Sequence, residues 1–163
     1  MKFMIGVMIC FMVFTLGNAQ STQNDYTGLP EAVKTAVAHA VASLHLHPIA
    51  KVGAFGYSNE QSPDAILSKL VFGEIEKALM FYGDIQVITR SDIHWIKEEK
   101  DFLMNLDMDD LNERQSIELG KIVGVDYIII AHIYGETYNL RRIQIRILNV
   151  KTGRVEGSSS QGF

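Results

Sequence analysis

Residues 119–138 read LGKIVGVDYIIIAHIYGETY, and the way this stretch divides decides the fold. Gly124 is placed to close a helix, because a left-handed C-terminal cap favours a residue without a Cβ. Two residues later, Tyr127-Ile128-Ile129-Ile130-Ala131-His132-Ile133-Tyr134 is apolar at nearly every position. An unbroken β-branched and aromatic run of this length reads as a strand buried on both faces, mid-sheet, with helices packed over it. A buried helix has a similar composition, but Gly124 and Gly135 bracket the run and favour the strand.

Downstream, Tyr138 to Arg141 reads as a tight turn. Arg142 to Val150 then alternates, with Ile143, Ile145 and Ile147 inward and Arg142, Gln144 and Arg146 outward. That is a strand with one wet face, as an antiparallel neighbour would have. Lys151-Thr152-Gly153 is a hairpin turn with glycine where a positive φ is needed. Val155 begins a short last strand, and residues 158–163, rich in serine and glycine, read as a flexible tail.

Upstream, Asp110 with Glu113 resembles a capping box for the helix that runs to Val123. Glu98, Glu99, Asp101, Asp107, Asp109 and Asp110 form an acidic stretch, usually a solvated face. Before it, Ser91-Asp92 opens a helix from Ile93 to about Met104, in which Trp95 and Ile96 read as core or groove contacts. Ile85 to Thr89 is a strand followed by Arg90. Ser62 as cap, Pro63 at the first helical position and Asp64 on the positive end start another helix. Its expected apolar face is Ile66, Leu67, Leu70, Val71, Ile75, Ala78 and Leu79, and Gly83 closes it. Ile49 to Tyr57 is the first strand, where Gly53 and Gly56 mark a bulge or a close backbone approach. These glycines lack the spacing of a phosphate-cradling loop. Pro30 opens an N-terminal helix that occupies residues 30–48 with its exit, His45-Leu46-His47-Pro48.

Met1-Lys2, the apolar run Phe3 to Leu16 and the small residues around Gly17-Asn18-Ala19 read as a secretory signal peptide over residues 1–19. That run is short for a membrane span of roughly 20 residues. Residues 20–29 are a polar tether, and residues 49–157 form the domain proper. The one cysteine, Cys10, lies inside the apolar run with Ile9 before it, so lipidation there is disfavoured. A chain cleaved after Ala19 has no thiol, which excludes disulfides, cysteine metal sites and cysteine nucleophiles. Without Lys2, fourteen basic residues stand against nineteen acidic ones, a net charge of −5 and a poor match to nucleic acid.

The sequence shows no active-site grammar. Gly56-Tyr57-Ser58-Asn59-Glu60 begins like a nucleophile elbow but lacks the closing glycine, as does Gly157-Ser158-Ser159-Ser160-Gln161. His132, within the apolar run, reads as a satisfied core residue rather than a base. His45 and His47 share one face of an extended segment but have no third ligand nearby, so neither a metal nor a cofactor is expected.

Taken in order, four pieces resemble the CsgG/LpoB-type periplasmic domain, a family of bacterial envelope proteins. They are Val52-Gly53-Ala54-Phe55, Val87-Ile88-Thr89-Arg90-Ser91-Asp92-Ile93, Leu119 to Ile129, and Ile147-Leu148-Asn149-Val150-Lys151-Thr152-Gly153, spanning roughly residues 50 to 156. The resemblance implies an α/β fold, a mixed sheet of about four to five strands flanked by helices, with no catalytic centre. It also implies action by protein–protein contact, as in a curli export channel subunit and an activator of a cell-wall synthase. Two departures stand out: no convincing lipobox, and a tight turn where the channel subunit inserts a membrane hairpin.

The expected function is therefore that of a non-enzymatic exported protein of the periplasm or outer-membrane periphery, an assembly accessory or a regulator of cell-wall synthesis. An oligomeric component of an outer-membrane export apparatus and a small periplasmic hydrolase are the alternatives. Expected partners are another envelope protein or a second copy, with peripheral membrane contact allowed and no transmembrane span. Two candidate contact surfaces follow. One is Trp95, Lys97, Glu98 and Asp101; the other is Arg141, Arg142 and Arg146, within a segment from Arg141 to Arg154 that has five basic residues and no acidic one.

Overall fold

The computed structural model describes residues 26–44, 50–59, 65–93, 111–135 and 141–163. Its elements in chain order are α1 (Leu29–Ala42), β1 (Ala50–Asn59), α2 (Ala65–Leu79), β2 (Ile85–Ile88), α3 (Glu113–Val123), β3 (Tyr127–Tyr134), β4 (Arg142–Asn149) and β5 (Val155–Gly162). The strands form one sheet in the order β2-β1-β3-β4-β5. β1 pairs in parallel with β2 and β3, whereas β3–β4 and β4–β5 are antiparallel. The expected mixed α/β sheet flanked by helices is what forms.

β3 is the centre. Tyr127, Ile129, Ala131 and Ile133 join Ile143, Ile145 and Ile147 of β4 in one core under α1 and α2. Ile128 and Ile130 point the other way, into a second core with Phe55, Leu119 and Leu148, covered by α3. Period-two alternation on a strand buried on both faces produces the run of isoleucines.

Polar side chains tie the ends of these elements. Asp126 accepts the Lys51 N–H through its carboxylate at 2.9 Å, and its own N–H donates to the Lys51 carbonyl at 2.9 Å. Its carbonyl accepts from Val150 N–H at 2.9 Å, so one residue staples β1, β3 and the end of β4. Gly124 caps α3 at φ 78°, as expected, and Gly153 turns the β4–β5 hairpin at φ 68°. In that hairpin the Asn149 side chain accepts from both Lys151 N–H and Thr152 N–H at 3.0 Å.

Several expectations shift by a few residues. α3 is capped by Asn112, whose side chain accepts from Gln115 N–H while the Gln115 side chain accepts from Asn112 N–H. The Asp110–Glu113 box is therefore displaced by two positions, and Asp110 itself lies outside the described residues. Helical residues begin at Arg90 rather than after Ser91, because Thr89 and Asp92 bond reciprocally, Asp92 taking both Thr89 N–H and Oγ1–H at 2.8 Å. The apolar face of α2 is narrower than its sequence suggests. Ile66 and Leu70 are exposed (70% and 42%), while Phe72 is buried against Tyr57 and carries the Arg90 guanidinium over its ring at 4.2 Å. Ser62, Pro63 and Asp64 lie outside the described residues.

The largest correction is at the C-terminal end. Residues 158–162, read from composition as a flexible tail, are the last five of β5. At Gly157 no side chain is tolerated because α1 lies directly on the strand: a Cβ there would stand 2.5 Å from the Ala40 carbonyl oxygen. The bulge expected from the β1 glycines is present, with the β1–β3 register shifting between Ala54 and Gly56. A Cβ at Gly56 would meet Ile130 at 2.7 Å and Ser116 at 2.9 Å.

Gly157→Ala should thus cost about 1–3 kcal/mol in urea unfolding, since helix backbone cannot yield as a side chain can. Gly73→Ala, with nothing within 4 Å of its added Cβ and a helical backbone, should instead gain about 0.5–1 kcal/mol. Equal effects of the two substitutions would contradict the packing of α1 on β5.

Candidate partner-binding surface

α3 covers Phe55, Ile128, Ile130 and Leu148 on its side of the sheet. Farther along the same face, toward the C-terminal ends of β1 and β3, the side chains become polar. Register brings them together: Ser58 pairs with His132, His132 with Gln144, Tyr134 with Arg142, and Gln144 with Ser160. Ser58 Oγ is hydrogen-bonded to His132 Nδ1. The His132 ring stacks on Tyr134 with centroids 5.6 Å apart. Tyr134 Oη and Ser160 Oγ share a hydrogen bond of 2.9 Å, and Arg142 Nε donates to Ser160 Oγ at 3.3 Å. Arg146 Nη1 donates to Glu113 Oε2 at 2.7 Å, at the N-terminus of α3. The result is a polar strip across four strands, in which Ser58, His132, Tyr134, Arg142, Arg146 and Ser160 are held by partners distant in the chain.

The expected arginine surface is split by this arrangement. Arg142 is exposed and reaches across to β5. Arg146 is half-buried, and its ion pair fixes β4 to the start of α3. Arg141 is half-buried at the mouth of β4, where its carbonyl accepts the Phe163 N–H at 3.0 Å. Arg142 is thus the one of the three on the open surface. Trp95, Lys97, Glu98 and Asp101, the other candidate surface, lie outside the described residues, as do His45 and His47.

His132 is half-buried rather than a core residue, because strand alternation turns it onto the polar end of the α3 face. Its pairing with Ser58 is not visible from spacing, since 74 positions separate them and only the β1–β3 register joins them. Ser58 lies within β1, in extended backbone, not at the sharp strand-to-helix turn a nucleophile elbow requires. Among the described residues no group of three histidine, cysteine or carboxylate side chains is arranged to hold a metal, and no helix is long and apolar enough to cross a membrane.

On the opposite face Glu156, the one acidic residue between 141 and 163, sits beside Tyr127. Burial pushes the Tyr127 hydroxyl above its ordinary range, and the Glu156 carboxylate pushes it further. A raised folded-state value means that the fold prefers the protonated phenol. The stability this contributes is complete below the unfolded value, about pH 10, and is lost as pH rises beyond it.

Comparison with solved structures identifies the architecture. The C-terminal domain of LpoB from Salmonella enterica superposes with a TM-score of 0.62 at 16% identity, covering 80% of this chain and 94% of that one. The Escherichia coli LpoB C-terminal domain gives 0.60 at 16% identity over the same shares. The solution structure of Escherichia coli LpoB gives 0.63 at 12% identity, covering 98% of this chain and 81% of that one. No protein-family model matches the chain, and no curated sequence is significantly similar to it. The chain has an LpoB-like fold, which bears out the LpoB half of the resemblance drawn from its motifs. The CsgG half gains no support.

Two measurements check this surface. Arg146→Glu should lower stability by about 1 kcal/mol, the scale of a partly exposed pair, and Glu113→Arg added to it should restore much of the loss. No recovery in the double variant would mean that the pair does not join β4 to α3. In urea titrations, the margin of wild type over Tyr127→Phe should hold up to about pH 9 and shrink as pH passes about 10. A margin that widens there would reverse the sign argued above.

Proposed function

We propose that this chain is a non-enzymatic exported envelope protein that regulates cell-wall synthesis by binding another envelope protein through its LpoB-like domain. The observation that carries the reading is the LpoB-like fold, shared over 80% of this chain and 94% of the LpoB C-terminal domain. The family that the sequence motifs resemble works by contact, and its LpoB-type member activates a cell-wall synthase. The N-terminal signal pattern supports delivery to the periplasm or the periphery of the outer membrane.

The competing readings have less behind them. An export channel would need β3 and β4 to continue as a membrane hairpin with one lipid-facing side. Here one face of that pair packs under α1 and α2, and the other carries α3 and a polar strip that includes Arg142 and Arg146. A hydrolase would need an activated nucleophile on an exposed turn, and Ser58 lies in a strand.

The test is crosslinking in intact cells from a photoreactive residue in place of Arg142, followed by mass spectrometry of the captured species. The expected product is a cell-wall synthase or an envelope protein bound to one. Addition of the purified protein should then change the turnover of that synthase at least twofold. Recovery of a partner with no link to the cell wall, or of none, would overturn the proposal.

A further inference from the structure

The two edges of the sheet are not equivalent. β2, at one edge, is only four residues long, and short edge strands are one way proteins avoid unwanted pairing. β5, at the other edge, is eight residues long and is bonded to β4 on one side. Among the described residues, nothing pairs with its outer side. From Gly157 to Gly162 it carries no lysine, no proline and no charge of the kind that usually blunts an exposed edge.

Which backbone groups face outward follows from one hydrogen bond. Phe163 N–H donates to the Arg141 carbonyl at 3.0 Å, so residue 163 is in a bonded pair with β4. Antiparallel pairs alternate, so Gln161, Ser159 and Gly157 also aim their N–H and C=O groups at β4. The N–H and C=O groups of Gly162, Ser160 and Ser158 therefore aim away from the sheet. Three residues present three donors and three acceptors in a row.

We infer that this edge receives an extended acidic segment of a partner protein as a sixth strand. The charge preference comes from Arg142. Its Nε bond to Ser160 Oγ lays the guanidinium across β5 toward the open side. An added strand would lie about 4.8 Å beyond β5, so a carboxylate on its matching face falls within reach of that guanidinium. Lys151 and Arg154, both exposed in the β4–β5 turn, extend the positive field along the hairpin. A second copy fits less well, because two-fold pairing of β5 with itself sets both Arg142 side chains on the same face. Main-chain hydrogen bonds would supply affinity, and side chains at alternate positions specificity.

The inference takes from the proposed function only that the ligand is a protein, and it stands or falls without a cell-wall synthase. Its probe is an acetylated, amidated peptide of sequence Thr-Val-Asp-Val-Thr-Val-Asp-Val, compared with the same peptide carrying lysine for aspartate. Titration of the full-length protein, with amide hydrogen exchange read residue by residue, should slow exchange at Ser158, Ser160 and Gly162 at least threefold. Gly157, Ser159 and Gln161, already bonded to β4, should be unchanged. The aspartate peptide should bind up to about fivefold tighter than the lysine peptide, the most an exposed ion pair supplies, and Arg142→Glu should invert that order. Ser158→Pro removes an outward donor while sparing the β4 ladder, and should abolish binding.

Four results would overturn the inference: no binding of the aspartate peptide, equal binding of both peptides, outward amides already protected in the free monomer, or a concentration-dependent dimer that the peptide does not compete. The exchange pattern is read in the unaltered protein, so it holds even if the proline variant does not fold. Binding here alongside an unrelated crosslinked partner would sink the proposed function and leave this edge intact.

Discussion

Helices on both faces of β3 keep water from its backbone, so each of its N–H and C=O groups has to find a partner within the sheet. β1 supplies one side in parallel and β4 the other antiparallel, and this double pairing sets the direction of every other element. A parallel partner requires a crossover, and α3 provides it, arriving over the face that Ile128 and Ile130 present. An antiparallel partner requires only a short link, which leaves β4 and β5 to follow as hairpins. The mixed topology thus grows from one strand that cannot be exposed on any side.

The motifs that carry the resemblance in the sequence hold backbone ends in place. Asp126 in Gly-Val-Asp joins three strands, and Asn149 in Asn-Val-Lys-Thr-Gly closes a hairpin through two side-chain bonds. Arg90, after the β2 strand, spreads over Phe72 while its own N–H is accepted by Glu76 at 2.9 Å, locking α2 to the sheet edge. Anchoring backbone in these ways has few chemical solutions, which is why the residues that do it are legible as short patterns even where their partners are distant. Strand identity in 127–134 and the alternation in 142–150 were readable for the same reason, burial on two faces and on one face giving distinct periods.

What was not legible depends on pairs of residues far apart in the chain. Ser58 with His132 and Glu113 with Arg146 meet only through strand register and helix placement. Composition makes β5 look like a tail, because serine and glycine are common in tails; Gly157 is there because α1 sits against it, and Ser160 because it bonds Tyr134 and Arg142 on the other face. The capping box of α3 sits two positions after the one its sequence suggests, since Asp, Asn and Glu cluster around its start and several of them can cap. The same distinction explains why the arginine cluster read as one surface and is in fact one exposed side chain, one ion pair and one strand end.

The packing of α1 on β5 has a consequence for the order of assembly. α1 precedes the sheet in the chain, yet Ala40 rests on Gly157, and Gly28 lies beside Phe163, with more than a hundred residues between the members of each pair. Synthesis delivers α1 first, and although α2 and β4 cover part of its apolar side, that cover is not complete until the final strand emerges. Such distant closures slow folding and leave the intermediate sticky. The last strand to be made is therefore also the one that completes the cover over the first helix.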